Sequence, residues 1–312
     1  MISLVQEILL RFAVIILLGV IFRHLKIRGL DTDSVRPTLN ALVFNLFLPA
    51  LCIEALYSST IDLDTMLVPV AAGLTTIITM TIALTVYAII GSSITISRQE
   101  KGALLISATF GNVVYLGLPV LTGLYGDGAA KYALFYDLFA ATPLLWFISA
   151  SLAARYGEIG RVAMRDTFKT IASLPPVWGI LIGIALKSAN VVIPEFLVKS
   201  LGMLGSLVVP LMIFSLGLSF SLPKVRHASL LIPAIMIKLA IAPFIAFTIA
   251  NLLGMKGHAL ASCMIEGAMP TMVLSLLIAS RFGFDESLSA LAIVLTTVLS
   301  FFTLPIAISM TT

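Results

Sequence analysis

Two short stretches decide the fold of this chain: FGNVVYLGLP at residues 110–119 and EGAMPT at residues 266–271. Each places glycine, proline and a polar side chain inside an apolar segment long enough to cross a bilayer. Proline removes a backbone donor and clashes with the preceding helical turn, while glycine tolerates unwound backbone. We therefore predict two discontinuous helices, whose freed carbonyls bind a cation and whose freed amides bind an anion. A proline kink patched by neighbouring helices is the alternative for either stretch alone.

The composition excludes an ordinary soluble protein. Of 312 residues, 60% are hydrophobic and 11% are charged, and the mean hydropathy is +1.12, whereas soluble domains carry about 25% charged residues. The formal net charge is +4. Because the basic residues are dispersed among loops rather than gathered in one segment, no nucleic-acid partner is expected and the lipid bilayer is the predicted surrounding.

Apolar runs between charged residues, glycines and prolines mark ten predicted membrane spans. Long runs without alternation satisfy their backbone hydrogen bonds as helices rather than as barrel strands, so we predict an all-α membrane protein. The predicted spans cover residues 3–24, 35–57, 66–93, 99–124, 129–154, 170–187, 196–220, 228–253, 257–281 and 287–310.

Predicted loops that are rich in lysine and arginine alternate along the chain with loops that contain few of them. Thirteen of the 19 fall in one set of loops and four in the other set, and the richer set stays in the cytoplasm. The distribution predicts a multi-pass protein of the cytoplasmic (inner or plasma) membrane with both termini outside.

The two halves of the chain resemble each other. Five predicted spans precede a polar cytoplasmic linker at residues 156–169 and five follow it, so a second copy of the repeat would run upside down through the membrane. We predict inverted repeats at residues 1–155 and 170–312, an arrangement typical of secondary transporters; chance recurrence in an apolar chain is the alternative. The landmarks that recur at offsets of 155 to 162 positions are Pro49 and Pro210, Lys101 and Lys256, and Pro143 and Pro305.

Four ionisable side chains fall within predicted spans, where a charge costs about 2.5–3.5 kcal/mol on insertion scales. Glu266 lies beside the second break and is the predicted coupling group, which binds Na⁺ or carries a proton; a structural role is the alternative. Lys238 either neutralises a carboxylate, such as Glu266 or Asp137, or attracts an anionic substrate. Glu54 lies near the end of its span and is expected to reach water.

Polar side chains next to the two breaks complete a predicted cation site. Serine and threonine in membrane helices often bond to their own backbone carbonyls instead, which is the alternative for each of them. The set comprises Ser107, Thr109, Asn112, Thr271 and Ser275.

At these positions the chain resembles the auxin efflux carrier family, which includes plant carriers and bacterial permeases for malate and malonate. The resemblance covers essentially the whole chain and is carried by residues 47–51 (FLPAL), 111–119, 266–271 and 303–305 (TLP). It implies ten spans in two inverted repeats, with crossing broken helices 4 and 9. It also implies an elevator-like movement of a core of spans 3–5 and 8–10 against a scaffold of spans 1, 2, 6 and 7.

A more distant resemblance concerns the coupling ion. Asn112 and the spacing of Glu266 to Met269 are similar to cation-binding segments of bile acid:sodium symporters, which implies a sodium role for Asn112 and Glu266. Plant carriers are thought not to use sodium, so the coupling ion stays open between Na⁺ and H⁺.

The residues and the resemblance together give two overlapping sets of site residues. The predicted substrate-binding residues are Gly111, Asn112, Pro119, Lys238, Pro270 and Thr271. The predicted ion-coupling residues are Thr109, Asn112, Asp137, Glu266 and Met269, with Asn112 and Glu266 as the candidate Na⁺ ligands.

The predicted function is secondary active transport of a small organic anion, a carboxylate, with Na⁺ or H⁺ as coupling ion and no other cofactor. An uncoupled uniporter or channel-like permease is the alternative. An enzyme is not expected, because hydrolase, zinc-protease, Walker and dinucleotide motifs are missing and a paired-aspartate protease would need glycine at Leu124. A homodimer through the scaffold spans is predicted, with Gly179 and Gly183 permitting close helix packing.

Overall fold

The protein, seen in a computed structural model, is described for residues 2–25, 32–157, 164–219 and 227–311. Throughout these ranges the regular structure is helical, and the only extended pairing is an isolated antiparallel bridge between Gly111 and Thr271. The predicted all-α class is therefore confirmed. Residues 158–163 of the predicted linker lie outside the described residues.

The α-helices begin and end close to the limits of the predicted spans. In chain order they are α1 (Ile2–His24), α2 (Thr32–Leu42), α3 (Leu48–Ser58), α4 (Leu63–Ile90), α5 (Arg98–Thr109), α6 (Leu118–Tyr125), α7 (Ala130–Tyr136), α8 (Thr142–Tyr156), α9 (Met164–Ala172), α10 (Pro175–Ser188), α11 (Glu195–Ser206), α12 (Val208–Ser219), α13 (Leu231–Met236), α14 (Ala242–Leu252), α15 (Gly257–Gly267), α16 (Leu274–Phe282) and α17 (Glu286–Ser309).

Several continuous helical stretches are long and apolar enough to cross a membrane. Six in the described residues meet this criterion by length and composition, and a seventh candidate is the pair Arg165–Ala172 and Pro175–Ser188, which is bent by 60°. The chain is therefore a multi-pass membrane protein. The six are Ser34–Ser58, Leu63–Ile90, Asp127–Tyr156, Glu195–Ser219, Ala228–Leu252 and Glu286–Ser309.

In the described part of the chain, four π-helical turns interrupt the regular helices, and each ends two residues before a proline. A proline ring clashes with the carbonyl four residues earlier, and a wider turn moves that carbonyl away. In the turn before Pro143, for example, the Thr142 amide donates to the carbonyl of Asp137, five residues back. The turns and their prolines are Val43–Phe47 with Pro49, Val113–Gly117 with Pro119, Asp137–Ala141 with Pro143, and Ile237–Ile241 with Pro243.

One compact unit of the chain contains residues 1–62, 114–134 and 171–220. Its helices approach closely at glycines: a Cβ on Gly179 would lie 2.7 Å from the Pro49 carbonyl oxygen, and one on Gly183 would lie 2.9 Å from Leu56 Cβ. Gly179 and Gly183, which were predicted to permit close packing in a homodimer, are thus covered by α3 of the same chain. They cannot supply the predicted dimer contact.

The second compact unit contains residues 63–113, 135–170 and 221–312. It holds the start of the first stretch that decides the fold, from Phe110 to Val113, and the whole of the second stretch, from Glu266 to Thr271. A long-range hydrogen bond joins two of its helix ends. The Tyr87 hydroxyl, near the end of α4, donates over 2.8 Å to the carbonyl of Leu230, which directly precedes α13. The candidate site lies within this unit.

Candidate functional site

Two helix interruptions meet in the second unit. The helix α5 ends at Thr109 and helical structure resumes at Val113, while α15 ends at Gly267 and α16 begins at Leu274. Across the gap, the Asn112 amide donates to the Pro270 carbonyl over 2.7 Å and the Met272 amide donates to the Phe110 carbonyl over 2.9 Å. The interruptions fall at both positions indicated by glycine and proline, and the two segments pair as a short antiparallel bridge.

Thr271 satisfies further backbone groups at this bridge. Its hydroxyl donates to the Ser107 carbonyl of α5 over 2.8 Å, and its amide donates to the Thr296 hydroxyl of α17 over 3.0 Å. A buried backbone group without a partner costs about as much as a lost hydrogen bond, so this pairing stabilises the unwound segments. The amides and carbonyls that pair here already have one partner each, and ion binding by freed backbone groups at the two interruptions stays a prediction.

Lys238 lies next to both interruptions. Its side chain is 2% exposed, and its Nζ donates to the Gly267 carbonyl over 2.7 Å. A Cβ on Gly111 would lie 3.2 Å from that Nζ, so a larger side chain there would crowd the ammonium. The positive charge therefore sits at the carboxyl end of α15, where the helix dipole favours a cation.

Glu266 is buried without a hydrogen-bond partner. The residue is 1% exposed, and both of its carboxylate oxygens lack a partner among the described residues. The charges of Asp137 and Lys238 both act on this carboxylate. Buried polar atoms are normally hydrogen-bonded, and an exception needs an explanation such as a proton, an ion or water.

Asp137 lies in the π-helical turn before Pro143 and is 3% exposed. One of its carboxylate oxygens accepts a hydrogen bond from the Thr142 hydroxyl over 2.9 Å, and the other has no partner in the described part of the chain. No ion pair within 4.0 Å joins Lys238 to Asp137 or Glu266 in those same residues. The direct partner of Lys238 is thus a backbone carbonyl, which the sequence analysis did not consider.

Several side chains at and near the bridge have nitrogen or oxygen atoms without a hydrogen-bond partner in the described residues. Asn112 is buried, and its Nδ2 is available as a donor. Sequence reasoning missed Thr297, which follows Thr296 on α17; no glycine or proline marks that position. In the described ranges, the hydroxyls of Ser107 and Ser275 lack a partner and lie four residues from Gly111 and Thr271 respectively, and the hydroxyl of Thr297 also lacks one.

Other predicted site residues have more ordinary roles. The Thr109 hydroxyl donates to the Leu105 carbonyl of its own helix over 2.8 Å, and Met269 is a fully buried apolar side chain. Pro119 belongs to the other unit, as the second residue of α6. Glu54 is half-buried and accepts a hydrogen bond from the Ser58 hydroxyl over 3.2 Å, consistent with reaching water.

The fit of this site to a sodium ion is mixed. The free Glu266 oxygens suit a hard cation, but the Lys238 ammonium already bonds to one freed carbonyl and would repel a second cation. No group of three or more histidine, cysteine or acidic side chains placed to hold a metal occurs among the described residues. The pair Asn112 and Glu266 remains a prediction as a Na⁺ site.

Comparisons with known proteins place these features in a family of membrane transporters. The family described as membrane transport protein matches residues 4–308, so this chain belongs to that family. The resemblance noted from the sequence is thereby confirmed, and the family indicates a transporter rather than an enzyme.

Two archaeal relatives match over nearly their full length. One, an uncharacterized transporter of Methanothermobacter thermautotrophicus, is 29% identical over 309 residues, covering 96% of this chain and 96% of the relative. The other, an uncharacterized transporter of Methanocaldococcus jannaschii, is 30% identical over 298 residues, covering 92% of this chain and 93% of the relative.

Proposed function

We propose that this chain is a secondary active transporter that moves a small carboxylate across the cytoplasmic membrane together with a proton. The observation that carries the proposal is the bridge between two interrupted helices, which has a buried ammonium bonded at one break and a buried, unpartnered carboxyl beside it. Ionisable groups inside membrane segments face cavities or partners and mark transport pathways.

The anion is bound by the positive and donor groups at the bridge. Lys238 supplies a positive charge, and the free Nδ2 of Asn112 supplies a donor. Gly111, Pro270 and Thr271 shape the backbone around them, and the amino end of α16 adds a favourable dipole. We retain Pro119 as a substrate residue from the resemblance alone.

A proton suits the coupling role better than sodium. Glu266 and Asp137 are two buried carboxyls, and Lys238 places an ammonium at Gly267, the residue next to Glu266. Ionisation of both carboxyls therefore leaves one uncompensated negative charge in a low-dielectric interior. Binding one proton removes that charge. A sodium ion would have to approach the Lys238 ammonium, which makes it the alternative rather than the first choice.

The transport cycle follows an elevator scheme built on ten spans in two inverted repeats. In support of ten segments, among the described residues two predicted spans are interrupted at the bridge, the sixth is bent by 60° between α9 and α10, and the other seven have no break longer than one residue. The first unit contains the predicted scaffold spans 1, 2, 6 and 7, and the second contains most of the predicted core. In the proposal, the second unit carries the anion and proton from one side to the other.

A thermal-shift screen of purified protein tests substrate class and ion together. Acetate, malonate and malate are added singly, with sodium or potassium chloride, at acidic and neutral pH. A ligand that prefers the native state raises the melting temperature by mass action. We expect a carboxylate to stabilise the protein more at acidic pH, with sodium and potassium equivalent.

Uptake into proteoliposomes then separates the possible mechanisms. Radiolabelled malonate or malate should accumulate when an inward proton gradient is imposed and should not respond to a sodium gradient. Accumulation driven by sodium alone would replace the proton with Na⁺ in the proposal. Uptake that only equilibrates under either gradient would identify an uncoupled uniporter.

A further inference from the structure

At the second interruption, two side chains take the places of the donor and the acceptor of one missing helical hydrogen bond. In a continuous helix the Thr271 amide would donate to the Gly267 carbonyl, four residues earlier. Here the Gly267 carbonyl accepts from Lys238 Nζ over 2.7 Å, and the Thr271 amide donates to the Thr296 hydroxyl over 3.0 Å. Lys238 thus replaces the missing donor to Gly267, and Thr296 replaces the missing acceptor for Thr271.

The direction of the Thr296 hydroxyl is fixed by its own helix. Its proton goes to the Ala292 carbonyl over 2.6 Å, so the oxygen presents a lone pair to Thr271. Both threonines are buried, with Thr271 at 0% exposure and Thr296 at 1%. Because water cannot readily replace this acceptor, loss of the hydroxyl would leave the Thr271 amide without a partner.

The position of Thr271 also affects the backbone of the first interruption. Its hydroxyl bonds to the Ser107 carbonyl, and the adjacent Pro270 carbonyl accepts from the Asn112 amide. A shift of Thr271 would therefore move the backbone of Asn112, whose side chain holds the free donor. The Thr296 hydroxyl of α17 therefore affects the backbone at both interruptions.

We propose that Thr296 is a positioning residue for anion binding, which keeps the second interruption open and fixes the placement of Asn112 through Thr271. The proposal rests on the proposed transport function for its substrate readout. The geometry it describes is measurable without any substrate.

The first test measures amide exchange in the absence of ligand. Thr296→Val removes the acceptor and keeps the side-chain shape, and we expect the Thr271 amide to exchange roughly 5- to 100-fold faster. Thr296→Ser, which retains the hydroxyl, should restore slow exchange. Thr76→Val in α4 is the matched control, since the hydroxyl of buried Thr76 bonds only to the Ala72 carbonyl of its own helix. Unchanged exchange in Thr296→Val would overturn the proposal.

The second test separates positioning from general stability. For radiolabelled malonate or malate, whichever wild type accumulates, Thr296→Val should raise KM roughly tenfold with a smaller change in maximal rate, whereas Thr76→Val should leave KM unchanged. An unaltered KM in Thr296→Val, despite faster exchange at Thr271, would refute the positioning role. If exchange changes as expected but wild type accumulates neither anion, the proposed substrate class fails and the structural constraint stands.

A double-variant cycle tests the pairing of Thr296 with Lys238. Residues that act on one element show non-additive effects, whereas distant independent sites add. The melting-temperature losses of Thr296→Val and Lys238→Met should not add in the double variant, while those of Thr76→Val and Lys238→Met should add. Additivity in both cycles would contradict the shared role.

Discussion

Glycine and proline predicted both helix interruptions, and the two hold different chemistry. The first, at residues 110–112, is short, is followed directly by a π-helical turn, and contributes the Asn112 side-chain amide and the close approach of Lys238 to Gly111. The second, at residues 268–273, has Glu266 beside it and a carbonyl that binds Lys238. The comparison teaches that the first break supplies a side-chain donor, while the second supplies the buried Glu266 carboxyl beside it and the carbonyl that binds the Lys238 ammonium.

The largest effect is expected from removing the acid at the second interruption. Glu266→Gln preserves the shape but cannot release a proton, so accumulation driven by a proton gradient should be abolished. Glu54→Gln is the matched control, because Glu54 is half-buried in the other unit and should leave uptake unchanged. Uptake in Glu266→Gln that still follows the proton gradient would remove Glu266 from the coupling role.

Removing the ammonium should have the next largest effect. Lys238→Met keeps the apolar stem and loses the charge and the bond to Gly267. Hydrogen bonds to charged groups contribute about 1.5–3 kcal/mol, so malonate or malate binding should weaken roughly tenfold or more by titration calorimetry.

A second buried lysine controls for the loss of charge itself. Lys131 is buried in the first unit, where it bonds to the Thr60 carbonyl. Lys131→Met should lower the melting temperature and spare anion affinity. Equal affinity losses in the two variants would show that Lys238 has no special relation to the anion.

The space at the first interruption predicts a moderate effect. Gly111→Ala places a methyl group 3.1 Å from Lys238 Cε and 3.3 Å from the Glu266 carbonyl oxygen, which displaces the ammonium. We expect malonate or malate affinity to fall several-fold in a binding titration. Gly73→Ala, whose methyl would meet only Leu144 Cδ1 at 3.9 Å, should keep native affinity and gain stability by up to about 1 kcal/mol. Equal binding by both variants would contradict the crowding argument.

The smallest effect is expected from the π-helical turn that carries Lys238. Alanine is about 3 kcal/mol more favourable than proline inside a helix, so Pro243→Ala should let the turn tighten and rotate Lys238 away from Gly267. Uptake should fall by a few-fold. Pro69→Ala is the control, because Pro69 lies inside the regular helix α4, and its uptake should not fall. Identical rates in both variants would show that the turn does not orient the lysine.

Local chemistry made part of this architecture predictable from the sequence. Glycine and proline at Gly111 and Pro270 change backbone behaviour where they stand, so both interruptions fall at the expected places. The long apolar runs likewise define helices. Pairing between the interruptions depends on contacts across more than 150 residues, which periodicity does not encode.

The misses have physical causes as well. A Gly-x-x-x-Gly stripe permits close packing on any helix, so the pattern at Gly179 and Gly183 could not distinguish a second copy from α3. Lys238 was predicted either to neutralise a carboxylate or to attract an anion, because both roles follow from its charge, whereas its direct partner in the structure is a backbone carbonyl. Proline alone could not signal the π-helical turns, because such a turn precedes Pro143 and Pro243 whereas Pro69 lies inside the regular helix α4.

A cryo-electron microscopy map of the protein with malonate, at a resolution that shows side chains, tests the central claim most directly. The account predicts breaks at residues 110–112 and 268–273 that contact each other, with density for the anion beside Lys238 and Asn112. Continuous helices through both stretches, or an anion bound away from them, would contradict it.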